Sequence, residues 1–219
     1  MTEAQQRFPN PWSNKPMAQK LIEHLLALTG RRIIAIAGAP GSGKSTLSDY
    51  LATALNLRRP ESSAVVPMDG FHFDDAVLHA RDTHARKGAR FTFDVGGMAA
   101  LLGRLKQNTE AEIVVLVFDR KLEISRAGGR LISKDKALLL VEGNYQLLDQ
   151  QPWAALRPIY NLTVSLNVLL ADLEKRLVQR WKDYGLDPIA ARKRVLDNDL
   201  ENAKPVESLS VVADFTLTE

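Results

Sequence analysis

A chain of 219 residues, 45% hydrophobic and 25% charged, has the makeup of a soluble globular protein with ample material for a sizeable core. Its formal net charge of +3 is too mild and too dispersed to argue for nucleic acid, though it is compatible with an anionic substrate. The absence of cysteine excludes disulfides, thiol catalysis and Cys-ligated zinc; it makes a reducing, cytoplasmic setting the expectation, and no apolar run is long enough to span a bilayer.

Residues 1–16, punctuated by Pro9, Pro11 and Pro16, read as an irregular arm. Leu21, Ile22, Leu25, Leu26 and Leu28 then mark an amphipathic helix over 17–28, closed by Gly30. An apolar strand over 32–37 leads into a glycine-rich loop, and Leu47, Leu51 and Leu55 carry a helix from there to about Leu57. A second short strand covers 63–68. Residues 70–95, rich in His, Arg and Asp without a clear period, read as loop plus short helix. A helix over 96–106 and a third strand of β-branched residues over 112–118 follow. Residues 119–136 are charged and contain Gly128-Gly129, which predicts a hairpin-like excursion. Strands are expected at 137–141, 162–168 and 211–217, and a charged helix at 171–184. Asp187-Pro188 supplies the N-cap and first residue of another helix. Alternating strands and helices predict one α/β domain over 1–219, a parallel sheet with helices on both faces.

The loop reads Gly38-Ala39-Pro40-Gly41-Ser42-Gly43-Lys44-Ser45, a full match to G-x-x-x-x-G-K-[ST]. Gly38, Gly41 and Gly43 let successive N–H groups face one concavity suited to phosphate oxygens. Lys44 reaches the β and γ phosphates as a point charge, and Ser45 offers a hydroxyl to Mg²⁺. The helix that begins here, with Thr46 in its first turn, turns its positive end toward the anion. The chain is therefore expected to bind a nucleotide.

Chemistry beyond binding needs further groups. The second strand ends at Met68-Asp69-Gly70, and ligands of parallel sheets lie beyond the carboxyl ends of strands. Asp69 there can take the proton of an attacking hydroxyl or hold a water on Mg²⁺; alternatively it caps the turn before Gly70. Asp119 and Glu142 each end an apolar strand and compete for the metal, with pattern alone slightly favouring Asp119. Arg176 and Arg180 lie four apart on one helix face, so both can project to one ligand or to solvent. The four histidines, His24, His72, His79 and His84, form no zinc-binding spacing.

The segments GAPGSGKS, MDGFHFDD, RKGARFTFD (86–94), VFDRKLEISR (117–126) and VEGNYQLL (141–148), in this order, resemble the phosphoribulokinase, uridine kinase and bacterial pantothenate kinase superfamily. More closely they resemble a bacterial group described as fructose-transport-system kinases or nucleoside/nucleotide kinase-like proteins, over about residues 17–215. The resemblance implies a three-layer P-loop NTPase fold with a helical lid, an acceptor-side region at 70–135, and lid and adenine-side helices at 171–203. It implies Asp69 as general base, Glu142 with Ser45 on the metal, and lid arginines Arg176 and Arg180 beside the transferred phosphoryl group. His72, Arg86, Asp94, Phe118, Asp119, Arg120 and Arg126 fall on the acceptor side, and Asn202, in N-D-x-x-N-A, falls beside the adenine. By pattern alone that last segment is a helix end before Pro205. Family members often carry Arg after the D-x-F-[HY] segment; this chain has Phe73-Asp74-Asp75, which counts against a phosphorylated acceptor.

The expected function is transfer of the γ-phosphoryl of Mg-ATP to a hydroxyl of a small molecule: a sugar such as fructose, pantothenate, glycerate or a nucleoside. No nucleic-acid or membrane partner is expected, and a homodimer is compatible with the sequence. The competing expectation is an ATPase or GTPase switch or assembly factor. Against a GTPase, the guanine signature N-K-x-D is absent, since Asn14-Lys15 runs into Pro16-Met17.

Overall fold

The computed structural model describes residues 10–218. In chain order the elements are α1 (Pro16–Ala27), β1 (Arg32–Gly38), α2 (Lys44–Arg58), β2 (Ser63–Pro67), α3 (Asp75–Ala80), α4 (Val95–Gln107), β3 (Glu112–Asp119), β4 (Ile124–Ser133), β5 (Leu138–Gly143), β6 (Leu162–Asn167), α5 (Leu170–Asp183), α6 (Pro188–Arg194), α7 (Leu200–Leu209) and β7 (Phe215–Thr218). Five of the strands form a parallel sheet in the order β2-β5-β1-β6-β7.

The central strand shows why the layers assemble as they do. Successive side chains of a strand point to opposite faces, so a strand covered on both sides reads as a continuous apolar run. Ile34 and Ile36 of β1 join Leu21, Ile22 and Leu25 of α1 and Leu47, Leu51 and Leu55 of α2 on one face. Ile33 joins Met98, Leu102 and Leu105 of α4 and Ile113 and Val115 of β3 on the other. Each α/β layer thus buries its own apolar stripe, and together they form the three-layer α/β arrangement that the alternation predicted. Among the described residues no helix is long and apolar enough to cross a membrane.

Two expectations need correction. The strand over 112–118 forms, but it does not join the parallel sheet. β3 pairs antiparallel with β4, which occupies most of the predicted excursion, and the two make a separate hairpin. The physical signal is alternation: Ile113 and Val115 are buried while Glu112 and Val114 are exposed, a half-buried pattern that a run of β-branched residues hides. One residue of the arm is packed against the core. Residues 1–9 lie outside the described residues, but Trp12 is buried in the α1–α2 core. The helix expected to stop before Pro205 runs through it to Leu209, because burial of Leu200, Asn202 and Ala203 outweighs the cost of an internal proline. A five-residue π-turn, Val195–Asp199, joins α6 to α7 and was not foreseen.

Candidate active site

The phosphate loop follows β1 directly and leaves Gly41 and Gly43 at φ of 79° and 85°, a left-handed conformation that side chains disfavour. Gly38 is needed for space: a Cβ there would fall 2.5 Å from Ser42 Oγ. α2 then starts at Lys44 with no side-chain cap and no acidic residue in its first turn. Its first N–H groups, with those of Ser45 and Thr46, are left for an anion, and Ser42 Oγ is buried without a hydrogen-bond partner among the described residues. These features fit a bound polyphosphate.

Two carboxylates face this loop from the ends of neighbouring strands. Glu142 closes β5, and Ser45 Oγ donates to its Oε2 at 3.1 Å. Burial pushes the Glu142 carboxyl up to about 7; Asp69 adds to this, while Lys44 and the Ser45 hydrogen bond oppose it. A hydroxyl beside a buried carboxylate whose charge is incompletely balanced is a hard-oxygen pair suited to Mg²⁺. Lys44 is itself pushed down by burial, with Glu142 and Asp69 acting the other way.

Asp69 sits in the single 3₁₀ turn Met68–Phe71 that ends β2. Arg120 Nη2 donates to its Oδ2 at 2.7 Å. Burial would raise the Asp69 pKa, yet His72, Arg120, Lys44 and Arg180 together hold it below the ordinary carboxylate value. His72 contributes only when protonated, and burial lowers its own pKa, so Arg120, Lys44 and Arg180 carry the effect. Helix α5 reaches the same cleft. Leu177 lies against Gly41, where a Cβ would fall 3.0 Å from Leu177 Cγ, and Arg180 acts electrostatically on Lys44, Asp69 and Asp199. Arg176 is exposed and lines, with Arg180, an open concavity on α5.

The acceptor-side residues divide into pairs. His72 sits between Phe93 and Phe118, tilted to both at 45° and 42° with centroids at 4.0 and 4.7 Å, and its Nδ1 lies 2.8 Å from the Asp69 carbonyl oxygen. Lys87 Nζ stands 5.4 Å over the Phe118 ring and donates to Asp75 at 2.7 Å. Asp119 accepts from the backbone of Leu122 and Lys121, which with Arg126 hold its pKa below the ordinary value; Arg126 Nη1 is 2.9 Å away. Asp119 therefore builds the hairpin turn, and Glu142 is the strand-end carboxylate beside the loop.

Three expected site residues stand elsewhere. Asp94 is the N-cap of α4, accepting from Gly97 N at 2.8 Å, as an Asp directly before a helix commonly does. Arg86 reaches away from the hairpin: its Nε donates to Asn198 Oδ1 at 3.1 Å and its Nη2 to Asn202 Oδ1 at 3.0 Å. Asn202 is thereby engaged with Arg86. It does not line the cavity of about 580 Å³ that opens beside Gly38 and Ala39, whose α7 wall is Ala203, Val206 and Glu207. Sequence reasoning missed the partnership of Asn198 with Arg86, though the i,i+4 spacing of Asn198 and Asn202 puts both amides on one helix face.

Comparison with known proteins agrees with this geometry. A Schizosaccharomyces pombe protein provisionally named a uridine kinase, C227.14, is 32% identical over 202 residues, covering 89% of this chain and 86% of its own. The chain belongs to the phosphoribulokinase, uridine kinase and pantothenate kinase superfamily of P-loop kinases. A Silicibacter sp. TM1040 structure provisionally named a fructose transport system kinase is 41% identical, with a TM-score of 0.85 over 92% of this chain and 98% of that one. YFH7 of Saccharomyces cerevisiae, 18% identical, superposes with a TM-score of 0.82 over 92% of this chain and 99% of its own, and bears on the fold alone. The family model for the methylmalonyl Co-A mutase-associated GTPase MeaB matches residues 4–72, the phosphate loop and its flanks, under a third of the chain. The relatives of this P-loop kinase support an ATP-dependent kinase activity.

Proposed function

We propose that this P-loop kinase transfers the γ-phosphoryl group of Mg-ATP to a hydroxyl of a small, uncharged, polyhydroxylated molecule. The observation that carries the reading is Asp69: a half-buried carboxylate whose neighbouring cations favour its ionised form at the end of β2, in electrostatic reach of Lys44 in the phosphate loop.

In this scheme the loop N–H groups and Lys44 hold the β and γ phosphates. Ser45 and Glu142 would hold Mg²⁺, which when bound neutralises phosphate charge. The base of the nucleotide enters the cavity beside Gly38 and Ala39. The acceptor hydroxyl oxygen bonds to the γ phosphorus as the bond from that phosphorus to the β–γ bridging oxygen breaks; the proton passes to an Asp69 oxygen, and ADP leaves. Arg180 offsets charge on the transferred group from the lid side, and Arg176 extends that charged face.

The acceptor class is argued from what is already spent. Three acceptor-side cations each have a carboxylate partner: Arg120 with Asp69, Arg126 with Asp119, Lys87 with Asp75. That balance favours an uncharged acceptor over pantothenate or glycerate. Phe118 is covered by His72 and Lys87, which leaves less ring for stacking a nucleoside base and favours a sugar. The test is an ADP-release screen with Mg-ATP across neutral sugars, nucleosides, pantothenate and glycerate. Stimulation by a neutral polyol supports the proposal; stimulation by an acid alone overturns the acceptor class. The MeaB match supports the switch as a second reading, and steady hydrolysis with no acceptor responding would favour it.

A further inference from the structure

Asp199 ends the π-turn between α6 and α7, and its Oδ2 accepts from Trp181 Nε1 of α5 at 2.6 Å. A π-turn carries an extra residue relative to an α-helix, about 100° of rotation, so it re-aims the side chains around it. Here it directs one carboxylate at one indole. Burial raises the Asp199 pKa, against the Trp181 hydrogen bond, Arg194 and Arg180. The Arg194 guanidinium lies 4.4 Å over the Trp181 ring and holds the indole by its face. To keep α5 packed on the π-turn, an apolar contact would avoid desolvating a charge. What a charge-assisted hydrogen bond adds is direction.

Trp181 is the second of two anchors on one stripe of α5. Leu177, four residues earlier, clusters with Leu173, Val195 and Leu200 and lies against Gly41 of the phosphate loop. One contact to the loop and one bond to the π-turn fix the rotation of the helix about its own axis. Arg180 directly precedes Trp181, about 100° around the helix, so its direction follows from these two anchors. From that position it acts electrostatically on Lys44 and Asp69.

Resting on the phosphoryl-transfer reading above, we propose that Asp199, through its bond to Trp181, is a positioning residue that sets the rotation of α5 and so aims Arg180 at the transferred phosphoryl group. Asp199 touches neither nucleotide nor acceptor. Its effect falls on the charge that develops during transfer and spares ADP, which has no γ group.

The test needs no acceptor. MgADP is titrated calorimetrically into each protein with and without aluminium fluoride, a stand-in for the transferred group. The fluoride is expected to tighten MgADP on the wild-type protein, and Arg180→Ala to lose most of that gain. Asp199→Ala should lose about 10-fold or more of it, and so should Trp181→Phe, which keeps a ring under Arg194. Without fluoride their MgADP affinity should stay within about 3-fold of wild type, which also shows that the variants fold. The double variant should lose no more than either alone, because both changes remove one bond. Asp199→Asn, whose amide oxygen still accepts from Trp181, should keep the gain.

A full fluoride gain in Asp199→Ala, Trp181→Phe or Arg180→Ala overturns the inference. Equal weakening of MgADP with and without fluoride also overturns it, since that marks a merely structural role, as does an Asp199→Asn that fails as badly as Asp199→Ala. No fluoride gain in the wild-type protein removes the transfer reading and the inference with it; a wild-type gain that Asp199→Ala retains removes the inference alone.

Discussion

Arg120, on the turn of the β3–β4 hairpin, donates from Nη2 to Asp69 Oδ2 at 2.7 Å, so the proposed base is clamped by an acceptor-side cation. The pair joins two separate parts of the fold, the parallel sheet and the hairpin beside it. Its partners are partly open to water, and its importance lies in tuning Asp69 more than in stability. The cation favours the carboxylate form, so removing it raises the Asp69 pKa. Arg120→Ala is expected to move the acidic limb of the kcat/KM profile to higher pH, measured with the acceptor found by the screen. A limb that stays in place means that Arg120 does not set the charge of the base.

The base itself is tested by Asp69→Asn. General-base contributions predict a fall in kcat of about 100-fold or more, with MgADP affinity nearly unchanged. Lys44→Ala should abolish transfer, because no other cation replaces its point charge inside the loop. Retained turnover in Lys44→Ala would remove the site; a normal rate in Asp69→Asn would assign the proton to another group.

How far the sequence could be read is clear from these residues. The loop's backbone geometry and the position of Asp69 were legible because both answer to local rules: a glycine pattern that needs φ > 0, and the end of an apolar strand. Pattern slightly favoured Asp119 over Glu142 for the metal, although each is an acid after a hydrophobic run. What separates them is partner choice, sheet for β5 and hairpin for β3, and strand pairing is a long-range property. Asp94 and Arg86 misled for the same reason. A carboxylate before a helix caps it whatever family motif it belongs to, and the target of a long guanidinium depends on a segment about 110 residues downstream.

Glu142 gives a pH prediction that needs no acceptor. Its carboxyl has an ordinary value of 4.5 and is raised to about 7 in the fold, by burial first and then by Asp69. Between these values the folded state binds more proton than the unfolded one, so the contribution of this group to stability falls as pH rises. The difference amounts to on the order of 3 kcal/mol, fully felt above about pH 7. Metal-free, nucleotide-free wild-type protein should therefore lose stability relative to Glu142→Gln on going from about pH 5 to about pH 7 in urea titrations. Parallel pH curves for the two proteins would show that Glu142 is ionised in the empty fold.

The last prediction concerns the tie between acceptor side and lid. Arg86 donates to Asn198 on the π-turn and to Asn202 on α7, and Asn198 Nδ2 donates back to the Lys87 carbonyl at 3.1 Å. Next in the chain, Asp199 accepts from Trp181 Nε1 of α5 at 2.6 Å, and the same helix carries Arg180 into the cleft. Hydrogen bonds and one step along the chain thus link the RKG segment to the helix that carries Arg180. Arg86→Ala removes the donor to the buried Asn202 Oδ1 and leaves Asn198 Oδ1 only the longer bond from Asn202 Nδ2 at 3.4 Å, a loss of about 1–3 kcal/mol in urea unfolding. If the three residues act as one unit, Arg86→Ala and Asn202→Ala combine to less than the sum of their separate losses, by about 0.5–3 kcal/mol. Losses that add within error would mean that Arg86 holds the two amides independently, and the coupling between acceptor side and lid would have to run through other contacts.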